Sequence, residues 1–512
     1  MTSLKPTSDQ TQRPGLTAAS LAARPPTEYA HFIAGGKTRA RASEWIERAS
    51  PGHGVVVSRY PRGTADCARE AISAARTAFD SGPWPHTPGA AREAVLRATA
   101  ELIRTHANEL AVVECLESGK PLEQAREEMG WAAGIWDYAA ALARHLHGET
   151  TNTLGESLLG LTLREPAGVC ALITPWNFPL LIISQKLPFA LAAGCTCVVK
   201  PSEFTSGTTL RLAELLAEAG LPPGACNVVT GLGDPVGTAL VGSPEVDLVS
   251  FTGSTAVGRR VAAEAGAGLK KVMLELGGKN PQIVFADADL DAVVDSVVFG
   301  VFFNMGECCN SGSRVLVQAS VADELIERVV AASASVRVGD PLEPGVRVGA
   351  IINEAQQAKI ERYVAEAKTC GATVRLGAEP PPTGPGRYCM PTILDGVQPG
   401  MAIAREEVFG PVLSVLRFSD EAEAVGLAND TLYGLSAGIW TRDLDRALRL
   451  SRQIRAGTVW LNTFMDGAPE LAFGGYRQSG LGRELGPHSV LEYTETKTLT
   501  IRLGAYRPKW LA

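Results

Sequence analysis

Between residues 169 and 275, five short apolar runs alternate with amphipathic stretches of helical period. That rhythm leaves few folds open. Runs 169–174, 195–200, 227–230, 246–252 and 271–275 read as strands, with helices between them that include 183–192 and 206–219. Strands this apolar must be covered on both faces, so the pattern predicts a parallel, doubly wound α/β sheet. Sheets of that kind bind ligands beyond the carboxyl ends of their strands. Upstream, Ala68, Ile72, Ala75 and Phe79 recur at helical spacing behind Thr64, a suitable N-cap, and a second helical run covers 90–110. Downstream, 315–318, 412–418, 435–441 and 458–462 read as strands of a second α/β unit. A chain of 512 residues exceeds what one core supports, so two or three domains are expected.

The chemistry gathers at the strand ends. The first strand runs into Pro175-Trp176-Asn177-Phe178-Pro179, and the second ends at Lys200-Pro201-Ser202-Glu203. The fourth passes through Phe251-Thr252-Gly253-Ser254 to Gly258, a glycine-rich turn opening a helix. The fifth ends at Glu275-Leu276-Gly277-Gly278-Lys279. Polar groups collected on one sheet edge predict a ligand crevice. Cys309 follows an apolar helical run and lies among Gly, Asn and Ser, a setting poor for core packing and good for a nucleophilic thiolate. Taken alone, such a cysteine is more often a small buried hydrophobe.

Composition excludes several classes. Net charge is −7 with no basic stripe, so neither nucleic acid nor an anionic membrane is an expected partner. None of the ten cysteines falls in a CxxC pair or a Cys/His cluster, so no metal and no disulfide framework is expected, and the usage is cytoplasmic. Residues 1–28 are rich in Thr, Ser, Pro, Ala and Arg without an apolar centre, and they read as a disordered extension rather than a secretory signal. No run approaches the ~18 apolar residues of a membrane span.

The motifs PWNFP, KPSE, FTGSTAVG, LELGGK, FFNMGECCNSG, EEVFGPV and FGGYRQSGLGRELG occur in that order. On them the chain resembles the NAD(P)-dependent aldehyde dehydrogenase superfamily over residues 29–502. The 34 residues from Glu275 to Cys309 fit that family's base-to-nucleophile spacing. The resemblance implies a Rossmann-type NAD-binding domain over 29–149 and 168–280 and an α/β catalytic domain over 281–486. Segments 150–167 and 487–505 have extended, β-type composition. In the family they form a small oligomerisation arm that adds a strand to a neighbouring subunit, so a homodimer or homotetramer is expected.

The resemblance also implies NAD-dependent oxidation of a small-molecule aldehyde to an acid. Cys309 would attack the aldehyde carbon, while the Asn177 amide and the Cys309 backbone N–H hold the oxyanion. Losing one such donor typically costs ~3 kcal/mol. Glu275 would activate the water that hydrolyses the thioester, so it should be partly buried with a pKa tuned toward neutrality. Lys186 and Glu484 fall where some members have a proton-relay pair. Cofactor contacts fall on Thr174, Pro175, Trp176, Lys200, Ser202, Glu203, Gly233, Phe251, Gly253, Ser254, Gly258, Leu276, Gly277, Glu407 and Phe409. Within that set, Gly253 and Gly258 frame the turn that meets the pyrophosphate, with Ser254 donating to a phosphate oxygen. Lys200 and Glu203 meet the adenosine ribose, where a carboxylate repels a 2′-phosphate and favours NAD over NADP. Glu407 and Phe409 hold the nicotinamide ribose and ring. Cys308 occupies the variable place in the Gly-[Gln/Glu]-x-Cys pattern, a packing or reversible redox position.

Departures from the family pattern concern the substrate. Asn310-Ser311 stands where many members carry Thr-Ala or Cys-Ala, Met305 replaces a polar or small residue, and Ala472 replaces the usual proline before Phe473. Gln185 lies where some relatives place a tunnel tryptophan, and Gly467 where some have a bulky aromatic. With Phe178, Trp131, Asn310 and Phe473 as further tunnel residues, these imply a tunnel wider and less aromatic than in members acting on small aliphatic aldehydes. That counts against an aromatic box for a quaternary ammonium. Asp466 and Glu470 point to amino-aldehydes. Two other readings remain: a CoA-acylating relative, against which Glu275 argues, and a non-catalytic binding protein, against which the intact set Asn177, Glu275, Cys309 and Glu407 argues.

Overall fold

The structure, a computed structural model, describes residues 16–39, 44–377, 379–505 and 510. The five apolar runs form the parallel centre of an eight-stranded sheet: β1 Val169–Ile173, β2 Thr196–Lys200, β3 Cys226–Val228, β4 Leu248–Thr252 and β5 Lys271–Glu275. Their spatial order is β5-β4-β1-β2-β3. The chain therefore steps outward from β1 to β3, then returns to lay β4 on the other side of β1. Alternate residues of β1 enter different cores: Cys170 and Leu172 one, Val169, Ala171 and Ile173 the other. Both faces are covered, as apolar strands require. The reversal beside β1 opens a crevice at the carboxyl ends of β1 and β4. Strands His31–Ile33 and Gly36–Thr38 extend the sheet beyond β3.

A second, seven-stranded sheet follows: β6 Pro281–Val284, β7 Arg314–Gln318, β8 Thr373–Leu376, β9 Thr392–Asp395, β10 Val412–Phe418, β11 Ser436–Trp440 and β12 Thr458–Leu461. It is ordered β8-β9-β10-β7-β6-β11-β12 and is parallel except at the β8 edge. It has its own buried core. This unit gives one strand back, since Gly480–Leu481 pairs with Leu274 and Glu275 on the outer edge of β5. A third small sheet has Leu158–Pro166 at its centre, flanked antiparallel by Glu149–Thr151 and Thr494–Arg502. Among the described residues no helix is long and apolar enough to cross a membrane.

Three expectations are revised. The helix read over 183–192 is two helices, Pro179–Ser184 and Leu187–Ala193, because Pro188 lacks an N–H and restricts the residue before it. Lys186 stands at the junction. The run over 90–110 likewise breaks at His106 into Gly89–Thr105 and Ala107–Ser118. Residues 1–15 of the expected disordered extension lie outside the described residues, and its remainder is corrected. Ala18–Ala22 is helical, closed by a Thr17/Ser20 capping box with Leu21 buried, and Thr27–Glu28 pairs with Val56–Pro61. Average composition hides one cap and one apolar contact.

Gly480 carries the return strand. Its φ is +154°, and a Cβ there would lie 2.2 Å from the Leu274 carbonyl oxygen. Gly480→Ala is therefore expected to destabilise the fold by more than about 2 kcal/mol, read as a lower thermal midpoint. An unchanged midpoint would show that the seam yields freely.

Candidate active site

Helix Leu290–Phe302 starts at Asp289, whose side chain accepts from the Asp291 and Ala292 N–H groups. It ends in a tight turn in which Asn304, Met305 and Gly306 take φ of +49°, +58° and +69°. Left-handed backbone is costly for the first two. The turn buries Cys308 against Phe178 and Ile182, with its thiol donating to Asn310 Oδ1 at 2.9 Å. Cys309, next along, is half-buried. Its carbonyl accepts from Asn280 Nδ2 at 2.8 Å. The Cys308 contact first, and desolvation second, push the Cys309 thiol well above its ordinary pKa. At rest it is protonated and needs a base.

Glu275 ends β5 and is buried, and its Oε1 has no hydrogen-bond partner among the described residues. Burial raises its pKa well above the usual carboxylate range; nearby Cys309 and Glu484 add to this, and Lys186 and Arg483 oppose it. Lys186 and Glu484 do form a buried ion pair, with Lys186 Nζ also donating to Ser250 Oγ at 2.9 Å. Phe473 anchors this pair by exchanging backbone hydrogen bonds with Glu484 at 2.7 and 2.8 Å. Asn177 is buried and joined to the nucleophile loop: its Nδ2 donates to the Glu307 carbonyl at 3.1 Å. An amide nitrogen has two hydrogens, so this bond uses only one of them.

At the crevice, Thr174 Oγ1, Thr252 Oγ1 and Glu275 Oε1 are buried without partners among the described residues, at the exits of β1, β4 and β5. Buried polar atoms are normally satisfied, so three on one edge point to a ligand. Gly258 lets helix Thr255–Ala267 lie close to β5, since a Cβ there would meet Leu276 at 2.4 Å. A Cβ on Gly253 would meet the Phe251 ring at 2.6 Å. Ser254 caps the helix by accepting from the Val257 N–H. Lys200 is buried, donates to the Pro201 carbonyl at 3.1 Å and lies 4.0 Å from Glu203; desolvation lowers its pKa. Ser202 is buried and turned to the Phe204 N–H, while Gly233 is exposed just past β3. Pro175 is half-buried, and Trp176 meets Phe409 edge-on at 5.3 Å across the two units. Glu407 Oε1 accepts from the Gly278 N–H at 3.1 Å. Burial raises its pKa, countered by Lys359, that N–H and Lys279.

Several residues here escape a reading of sequence alone. Asn280 holds the carbonyls of Cys309 and Ser311 and directly follows the LELGGK motif, the one signal that could have found it. Ser479 bridges the units, donating to the Gly277 carbonyl at 2.7 Å and accepting from Gly434. Gln356 Nε2 donates to the Val408 and Phe409 carbonyls, and Lys359 acts on Glu407; both sit on helix Glu354–Thr369, whose polar sequence reads as a solvated surface.

Aromatic rings, two of them on expected tunnel residues, gather beside Cys308. Phe178 stacks on Phe303 at 5.9 Å, and Trp131 and Phe299 lie 6.2 and 5.0 Å from Phe303, beside Cys308. Phe299 and Phe303 are one turn apart in an apolar run, where helical spacing reads as core. Gly467 has nothing within 4 Å of a Cβ, and Gln185 is half-buried. Asp466 accepts from the Thr463 hydroxyl, and Glu470 is exposed.

Residues 38–499 match the profile of the aldehyde dehydrogenase family. The aminoacetaldehyde dehydrogenase of Pseudomonas aeruginosa is 44% identical over 92% of this chain and 95% of its own length. The crystal structure of an NAD-dependent aldehyde dehydrogenase from Sinorhizobium meliloti superposes with a TM-score of 0.94 at 51% identity, covering 95% of this chain and 97% of that one. Betaine aldehyde dehydrogenase of Staphylococcus aureus, solved with NAD+, gives 0.91 at 37% identity over 94% and 96%. The likeness runs through both sheets and the seam between them, and the chain belongs to the aldehyde dehydrogenase family.

Proposed function

We propose that this chain oxidises an aldehyde to a carboxylic acid with NAD through an acyl intermediate on Cys309. One observation carries the reading: Glu275 of the first sheet, buried with no hydrogen-bond partner on its Oε1 among the described residues, lies close enough to Cys309 of the second unit for a thiolate there to raise its carboxyl further. Glu275 as carboxylate receives the thiol proton and the thiolate attacks the carbonyl carbon. The Asn177 amide and the Cys309 N–H hold the resulting oxyanion. NAD bound in the crevice supplies the hydride acceptor. Once the hydride has left, Cys309 carries a thioester. Glu275 then takes a proton from water, the hydroxide attacks the thioester, and acid and thiol are released. The Lys186–Glu484 pair is the next acceptor for the Glu275 proton.

The residues present fit the dinucleotide. The thirteen-residue helix Thr255–Ala267 offers its N-terminus to the pyrophosphate, and Gly253 and Gly277 lack the Cβ that would fill the cradle. Lys200 and Glu203 would hold the adenosine ribose, and Glu407 the nicotinamide ribose. The Glu203 carboxylate disfavours a 2′-phosphate. The relatives named for aminoacetaldehyde and betaine aldehyde, with the rings of Trp131, Phe299 and Phe303, support an amino-aldehyde as substrate. The outer edge of strand Thr494–Arg502, with Ile501 and Leu503 exposed, suits pairing with a second copy in a dimer or tetramer.

Cys309→Ala is expected to abolish oxidation. Glu275→Gln should lower kcat by about 10²–10⁴-fold while a slower NADH burst still approaches one per site, since hydrolysis fails after acylation. Because the raised Glu275 carboxyl must be ionised, wild-type kcat should fall as pH drops through a pKa above the usual carboxylate range, and the Gln variant should lose that limb. Full activity in Cys309→Ala, or turnover that rises with CoA and not without it, overturns the hydrolytic reading. On an aldehyde panel with both cofactors, kcat/KM should favour NAD by about tenfold or more and peak for amino-aldehydes. Preference for NADP sinks the Glu203 argument, and preference for neutral aliphatic aldehydes sinks the aromatic one. Deleting 494–505 should reduce the assembly to monomers by light scattering; an unchanged mass refutes the arm's role.

A further inference from the structure

Behind the nucleophile turn lies a chain of buried polar side chains with no part in the steps above. Lys120 Nζ pairs with Glu114 Oε1 at 2.8 Å and with Glu128 Oε2, and all three side chains are fully buried. Gln124 Nε2 donates to Glu128 Oε1 at 2.8 Å and to Asn304 Oδ1 at 3.1 Å. The Asn304 N–H returns to Gln124 Oε1 at 3.2 Å. Asn304 Nδ2 then donates to the carbonyls of Asn177 at 3.2 Å and Glu307 at 2.9 Å. At the far end, Glu114 Oε2 accepts from the Leu180 N–H at 3.3 Å. The segment Asn177-Phe178-Pro179-Leu180 is thus gripped at both ends by one network, with the Lys120 ammonium 4.6 Å from the Phe178 ring between them.

Stability alone does not account for this arrangement. Buried ion pairs lose so much hydration that apolar replacements are often as stable. The network also meets the loop where Asn304 and Met305 hold left-handed backbone. What it does supply is polarity. The Asn304 N–H can only donate, so Gln124 must turn its oxygen toward that N–H and its NH2 toward Glu128 Oε1, while the Lys120 ammonium holds Glu128 Oε2. Gln124 in turn demands the Asn304 oxygen, which forces the Asn304 NH2 toward Asn177 and Glu307. Each amide is set by the one behind it.

We propose that Gln124, acting through Asn304, is a positioning residue for the reaction: it orients the amide that fixes Asn177 against the oxyanion on the carbon bonded to Cys309. This rests on the roles given above to Asn177 and Cys309. Gln124→Met keeps length and removes all three hydrogen bonds. Single-turnover NADH formation is expected to slow about tenfold, while NAD affinity and the rate of Cys309 alkylation by iodoacetamide, which forms no oxyanion, stay within about twofold. In an Asn177→Ala background the same change should add less than about twofold, because the two act on one interaction. If Gln124→Met does not fold, Glu128→Gln, which keeps an acceptor for Gln124 but drops the charge, should show the same selective slowing to a smaller degree. Wild-type single-turnover rates in the variant tested, full additivity with Asn177→Ala, or alkylation slowed as much as hydride transfer would each overturn the proposal. Cys309→Ala run alongside keeps the two readings apart: activity there defeats the nucleophile, whereas an inert Gln124 defeats only the positioning.

Discussion

A Cβ on Gly277 would stand 2.5 Å from the Glu407 carboxylate, and one on Gly278 would stand 2.5 Å from the carbonyl oxygen of Cys309. These two glycines follow Glu275 after one intervening residue, Leu276, so any side chain there would push the second unit off the end of β5. The site depends on that close approach. It sets Glu275, Glu407 and Cys309 around one seam, and Gly480 closes the other side of it by pairing with Glu275 itself. Neither sheet holds a complete constellation without the other.

Such a seam is an expensive place for charge, and burial shifts the ionisable groups accordingly. Glu275 and Glu407 are raised by burial, and Lys200 and Lys279 are lowered, Lys279 to about 7. Desolvation acts in one direction on every acid and in the other on every base. In the proposed reaction this helps: a carboxylate whose pKa is held above its usual range takes a proton from water more readily than an exposed one. The same dry surroundings strengthen hydrogen bonds to a developing oxyanion. The chain Lys120-Glu128-Gln124-Asn304 extends this logic one layer outward, where the orientation of amides replaces charge.

How much of this was legible in the sequence follows from how local each signal is. β1 to β5 could be read because each is a short apolar run, and Lys271–Glu275 falls where the pattern puts it. Cys309, Glu275, Asn177 and the Lys186–Glu484 pair emerged from dense motifs, and the structure places Lys186 against Glu484 although 298 residues separate them. Asn280, Ser479 and Gln124 could not be read that way, because their partners lie 29, 202 and 180 residues off and no spacing records such contacts. Phe299 and Phe303 failed for the opposite reason: their local signal is strong but says core. The broken helix at Lys186 was missed because an apolar run overrode one proline.

In the proposed reaction Cys309, and not its neighbour Cys308, carries the substrate. Acid quench during steady turnover with an aldehyde and NAD, followed by digestion and fragment-ion mass mapping, measures this directly. An acyl mass increment is expected on Cys309, with Cys308 unmodified. An increment on Cys308, or no acyl adduct while turnover proceeds, would contradict it.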